Sequence, residues 1–66
     1  MDIRKQIGEK IAEMRKGSNL SQRDLAERSG LTQNTIYKVE NGKFSVGIDT
    51  LQRIADVFGK RIDLID

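Results

Sequence analysis

The chain has neither cysteine nor histidine among its 66 residues. Those absences remove disulfides, the commonest zinc ligands and the usual nucleophile–base pairs of covalent catalysis. A chain this short lies near the lower limit for a core that folds without such staples. Its stability must come from helix packing, with dimerisation as the available reinforcement. The lack of cysteine is compatible with a reducing cytosol. No apolar run is long enough to span a membrane, and there is no signal-peptide pattern, so a soluble protein is expected. No glycine-rich phosphate loop is present, and the carboxylates show no paired arrangement for acid–base work. An enzyme is therefore not expected, and neither is a cofactor or a bound metal.

Charge is present but nearly balanced. Twelve Lys and Arg face ten Asp and Glu, for a net +2. Residues 1–16 carry +2, residues 17–44 carry +1 and residues 45–66 carry −1. The basic excess lies in the first two-thirds, a mild asymmetry that favours an anionic partner without proving one.

Apolar spacing predicts helices. Ile3, Ile7, Ile11 and Met14 recur every three or four residues, giving an amphipathic helix over 3–16 with Gly17 as its stop. Arg15 and Lys16 sit near the negative end of that helix dipole. Ile48, Leu51, Ile54, Ala55 and Phe58 predict a last helix over about 48–58, ended by Gly59. Leu25, Leu51, Ile54 and Phe58 are expected in the core. The tail, Lys60 to Asp66, is ambiguous. Ile62 and Leu64 alternate with charged residues as in a strand, while Ile62 and Ile65 also fit one helical turn.

Between these helices, Ser21 to Asn41 reads SQRDLAERSGLTQNTIYKVEN. Ser21 and Asp24 have capping-box spacing before a short helix over Gln22 to Arg28. Leu25 and Ala26 are its only apolar residues, and Ala26 is small enough to admit a neighbouring helix closely. Gly30 suits a sharp helix-to-helix turn because glycine accepts positive φ. Leu31 plugs the corner, and Thr32 can cap the next helix, ended by Asn41-Gly42. Ile36 and Val39 face the core with Leu25, which leaves Gln33, Asn34, Tyr37 and Lys38 outside. Exposed amides at a helix N-terminus are what reading base edges in a DNA major groove requires.

With Leu25-Ala26, Gly30, Leu31, Ile36, Val39 and Glu40-Asn41-Gly42 in register, the chain resembles the lambda-repressor/Cro type of helix-turn-helix domain, the Xre family. The resemblance runs from Ile7 to about Ile62. It implies an all-α fold: a bundle of four to five short helices in a single domain over 1–66, with the helix-turn-helix at 21–41. The resemblance also implies a sequence-specific regulator of transcription, cytoplasmic and of bacterial, phage or plasmid origin. Such a protein would act as a repressor, as a homodimer on a palindromic double-stranded operator. By the same resemblance Gln33, Asn34 and Lys38 touch base edges in the major groove. Gln22, Thr32, Thr35, Tyr37, Asn41 and Lys43 hold the DNA backbone. Arg15 and Glu40 form a buried ion pair tying the first helix to the third.

The residues alone leave some roles open. Lys38 can read guanine, touch a phosphate or merely solvate its helix. Ser29 stands where the family often has a larger apolar residue. Phe44, Val46 and Ile48 have few local partners and suggest a dimer contact. The tail lacks a capped fifth helix and looks more like a dimerising strand through Ile62 and Leu64. That tail also supports an alternative function, an antitoxin that binds a toxin as well as its operator.

Overall fold

The computed structural model of the protein describes residues 2–63. It contains four helices: α1 (Ile3–Gly17), α2 (Gln22–Ser29), α3 (Gln33–Glu40) and α4 (Ile48–Val57). Three begin with a side-chain cap. Asp2 accepts the Arg4 N–H at 3.0 Å, while Ser21 and Thr32 cap α2 and α3 as their positions predict.

All four helices end alike. In each, two backbone N–H groups fold back on the last turn in the Schellman pattern, with a left-handed residue at the hinge. After α2 the Leu31 N–H reaches the Ala26 carbonyl at 2.9 Å and Gly30 has φ 72°. After α3 the Lys43 N–H reaches the Lys38 carbonyl at 2.9 Å and Gly42 has φ 70°. At the end of α1 the hinge is Asn19, with φ 57°, and not Gly17, which lies inside the helix. The hinge thus falls two residues after the expected stop, because asparagine tolerates the left-handed region well enough to serve.

α3 packs against both α1 and α2, and α4 packs against α2. Leu25, Ile36, Val39 and Ile54 are fully buried at the centre, with Ile11, Ala26, Phe44 and Ala55 around them. Ile7, Met14, Leu31, Val46, Leu51, Val57 and Phe58 pack half-buried against this group. Two residues of the apolar stripes fall outside it: Ile3 is 61% exposed and Ile48 is 69% exposed. Each is the first residue of its helix, and a helical side chain leans toward the N-terminus, here beyond the packed layer. Phe44 departs in the other direction. Expected at a dimer contact, it is buried in the core of its own chain, where folding already covers its ring. Ser29 is buried too, its hydroxyl satisfied by donating to the Leu25 carbonyl at 2.7 Å.

Past Gly59, residues 60–63 form neither helix nor strand. The side-chain amide of Gln52 holds them, donating to the Lys60 carbonyl at 3.1 Å and accepting the Ile62 N–H at 2.9 Å. A single side chain thus makes the two bonds that a neighbouring strand's peptide would make. Ile62 borders an apolar groove of about 320 Å³ between α1 and α4, lined also by Ile7, Met14, Leu51 and Lys10. Leu64 and Ile65, named for the strand and the dimer, lie outside the described residues.

Candidate nucleic-acid interface

The interface begins with the rigid turn between α2 and α3. At its entry, Ser21 Oγ accepts the Asp24 N–H at 3.0 Å and the Asp24 carboxylate accepts the Ser21 N–H at 2.9 Å. The backbone N–H of Ser21, and then its hydroxyl, hold the Asp24 carboxyl below its ordinary range. A lowered carboxyl contributes stability above its unfolded value and loses it as pH falls through the folded one. Thr32 Oγ1 accepts the Thr35 N–H at 3.1 Å and shares a hydroxyl–hydroxyl bond of 2.8 Å with Thr35. Both helices therefore start at fixed positions.

The inner end of α3 is locked by a polar hub. Arg15 and Glu40 form a bidentate pair, Nε to Oε2 at 2.6 Å and Nη2 to Oε1 at 3.0 Å. Their side chains are 12% and 5% exposed. Arg15 also donates to the Leu20 carbonyl at 2.8 Å, and Gln22 Nε2 donates to Glu40 Oε1 at 3.1 Å. The hub thus ties α1, the α1–α2 turn and α2 to the last residue of α3. Hydrogen bonding to Glu40 raises Arg15 above its ordinary value against the opposing effect of burial, so the guanidinium stays charged wherever the protein is folded.

Glycine brings the α1–α3 seam closer than the apolar pattern indicates. A Cβ on Gly8 would collide with the Val39 carbonyl oxygen and lie 2.8 Å from that of Glu40. A Cβ on Gly42 would lie 2.9 Å from the Lys5 Cα. Arg4 Nη1 donates to the Phe44 carbonyl at 3.1 Å. None of Gly8, Arg4 and Lys5 is marked by the sequence, although a glycine inside an otherwise regular helix is the kind of signal that points to a close approach.

The outer face of α3 is different. Gln33, Asn34, Tyr37 and Lys38 are exposed, and Gln33, Asn34 and Lys38 have no side-chain partner among the described residues. They share one side of an eight-residue helix whose other side buries Ile36 and Val39 completely. The expected backbone-contacting residues are spread around this face, and several already have bonds. Gln22 is half-buried on Glu40, Thr32 and Thr35 hold each other, and Asn41 Nδ2 donates to the Tyr37 carbonyl at 2.8 Å. An amide nitrogen has two hydrogens, so Gln22 and Asn41 each keep a second donor. Lys43 is exposed just beyond the α3 hinge. No helix among the described residues is long and apolar enough to cross a membrane.

Comparison with known proteins agrees with this geometry. A helix-turn-helix family profile matches residues 11–65. The HTH-type transcriptional regulator PuuR of Escherichia coli is 44% identical over 52 residues, which cover 79% of this chain and 28% of that protein. An uncharacterized HTH-type transcriptional regulator of Methanothermobacter thermautotrophicus is 42% identical over 50 residues, covering 76% of this chain and 72% of that one. The crystal structure of the restriction-modification controller protein C.AhdI from Aeromonas hydrophila has a TM-score of 0.82 at 28% identity, over 88% of this chain and 84% of that one. The chain therefore spans little more than a quarter of PuuR but most of the other two. On the length of the profile match, which takes in the α2–α3 turn, this chain belongs to the helix-turn-helix family.

Proposed function

We propose that the chain binds double-stranded DNA sequence-specifically and represses transcription as a homodimer on a palindromic operator. The observation that carries this reading is the contrast across α3. Its inner face is fixed by the core and by the Arg15–Glu40 pair, while Gln33, Asn34 and Lys38 stand exposed outside, with no side-chain partner among the described residues. A reading helix needs both properties, since a base edge is recognised only by side chains whose backbone does not move.

In this reading α3 enters the major groove with Gln33 bidentate to an adenine, beside Asn34 and Lys38. Gln22, Thr32, Thr35, Tyr37, Asn41 and Lys43 donate to flanking phosphates and sugars and set the register. The second copy docks through Val46, Ile62 and Leu64, without Phe44. Two copies read half-sites about 34–36 Å apart, one turn of the duplex. Occupancy blocks polymerase. The antitoxin alternative finds no support among the matched proteins.

Selection of sites from random duplex DNA tests the reading. An enriched palindrome with half-sites one turn apart is the expected result, and Gln33→Ala relaxes the preference at one base pair per half-site by about 1–3 kcal/mol. Failure to enrich any sequence would overturn the proposal. An unchanged preference in Gln33→Ala would remove α3 as the reading helix.

A further inference from the structure

We infer that Lys5, in the first turn of α1, is a DNA phosphate contact that completes one grip with Lys43. The inference rests on the DNA-binding reading above. Lys5 leaves α1 against the loop that follows α3. A Cβ on Gly42 would lie 2.9 Å from the Lys5 Cα and 3.3 Å from its Cβ, so the Lys5 side chain starts beside the residue preceding Lys43. Arg4 fastens the same turn of α1 to the same loop through the Phe44 carbonyl. Both lysines are exposed.

Neither lysine has an ion-pair partner among the described residues. Among the described residues the ion pairs are Arg15–Glu40 and Arg23–Glu27. Asp2 uses its carboxylate to cap the Arg4 N–H, and Glu9, one turn beyond Lys5, makes no ion pair with it. Two unpaired ammonium groups on adjoining backbone repel each other weakly in water. A phosphate between them turns that repulsion into attraction, at the end of α3 where the groove edge must pass. Lys10 provides the contrast, because it lies on the same helix but lines the groove between α1 and α4.

The test compares full-length Lys5→Ala and Lys10→Ala with the parent chain. Affinity for the selected duplex is followed against salt concentration. One lost phosphate contact flattens the log–log slope by about 0.9 and weakens binding about eightfold at 0.1 M salt, if the curves converge near 1 M. That result in Lys5→Ala, with base preference unchanged and Lys10→Ala like the parent, supports the contact. A Lys5→Ala slope equal to the parent's, or equal losses in the two variants, would overturn it while leaving α3 as the reader. A parent chain that binds no duplex at all overturns this contact and the proposed function together.

Discussion

The two ion pairs of the described structure use the same residue types and do different work. Arg15 and Glu40 meet at 2.6 Å with side chains 12% and 5% exposed, and the pair joins residues 25 positions apart. Arg23 and Glu27 meet at 3.6 Å, 79% and 69% exposed, within one helix. The first pair is bidentate and shares its atoms with Leu20 and Gln22. The second is a single contact, with arginine N-terminal to glutamate, the weaker order against the helix dipole. What separates them is water. A desolvated pair cannot lose one member cheaply, because the survivor has no solvent to replace it, whereas an exposed pair has bulk water as an alternative partner.

The sharpest way to break the comparison is Glu40→Ala. It leaves the Arg15 guanidinium largely covered, with the Leu20 carbonyl as its remaining acceptor. One-sided removal of such a pair costs about 3–5 kcal/mol. A chain of this length is expected to be stable by roughly 3–10 kcal/mol, taking about 0.05–0.15 per residue. Chemical denaturation should find the variant close to unfolded at ordinary temperature. A cost below about 1 kcal/mol would place Arg15–Glu40 in the same class as the exposed pair.

A smaller effect probes the seam beside that pair. Gly8→Ala puts a methyl group against the Val39 and Glu40 carbonyls, which are backbone and cannot swing aside. The helices must separate, at a cost of about 1–3 kcal/mol for an overpacked contact. Gly17→Ala is the counterpart with opposite sign. Its Cβ meets nothing within 4 Å and its φ is not positive, so alanine should stabilise α1 by about 0.5–1 kcal/mol. Thermal melts of the two variants should therefore move in opposite directions. A rise in both would mean that helix propensity outweighs packing at Gly8.

The contrast between Gly8 and Gly17 also marks how far the chain is legible without coordinates. Helix spacing, the Ser21 and Thr32 caps and the Gly30 turn are written in residues one to four positions apart, and the structure keeps them. The Arg15–Glu40 pair spans the fold, yet family register supplies it. Gly8 is marked locally only as a glycine inside a helix, and its role depends on the carbonyls of α3, more than thirty residues on. Phe44 misleads for the same reason. A loop phenylalanine without helical neighbours looks available until the core of the chain closes around it. Gln52 is missed because nothing in its neighbourhood announces that a side-chain amide will stand in for a strand. The outer face of α3 was legible as a surface because Ile36 and Val39 fix which side is buried.

The smallest expected effect completes the comparison. Arg23→Ala should change stability by less than about 0.5 kcal/mol, and added salt should erase the difference, because both partners are already hydrated. Double-mutant cycles set the two pairs on one scale, Arg23 with Glu27 against Arg15 with Glu40. Each cycle cancels what a single substitution does to helix propensity and leaves the coupling alone. A coupling near zero for Arg23–Glu27, beside a large one for Arg15–Glu40, would assign the difference to burial and shared hydrogen bonds. Equal couplings would mean that solvent screens both pairs alike. The inner end of α3 would then depend on Ile36 and Val39 for its position, and the hub would lose its part in holding the reading face.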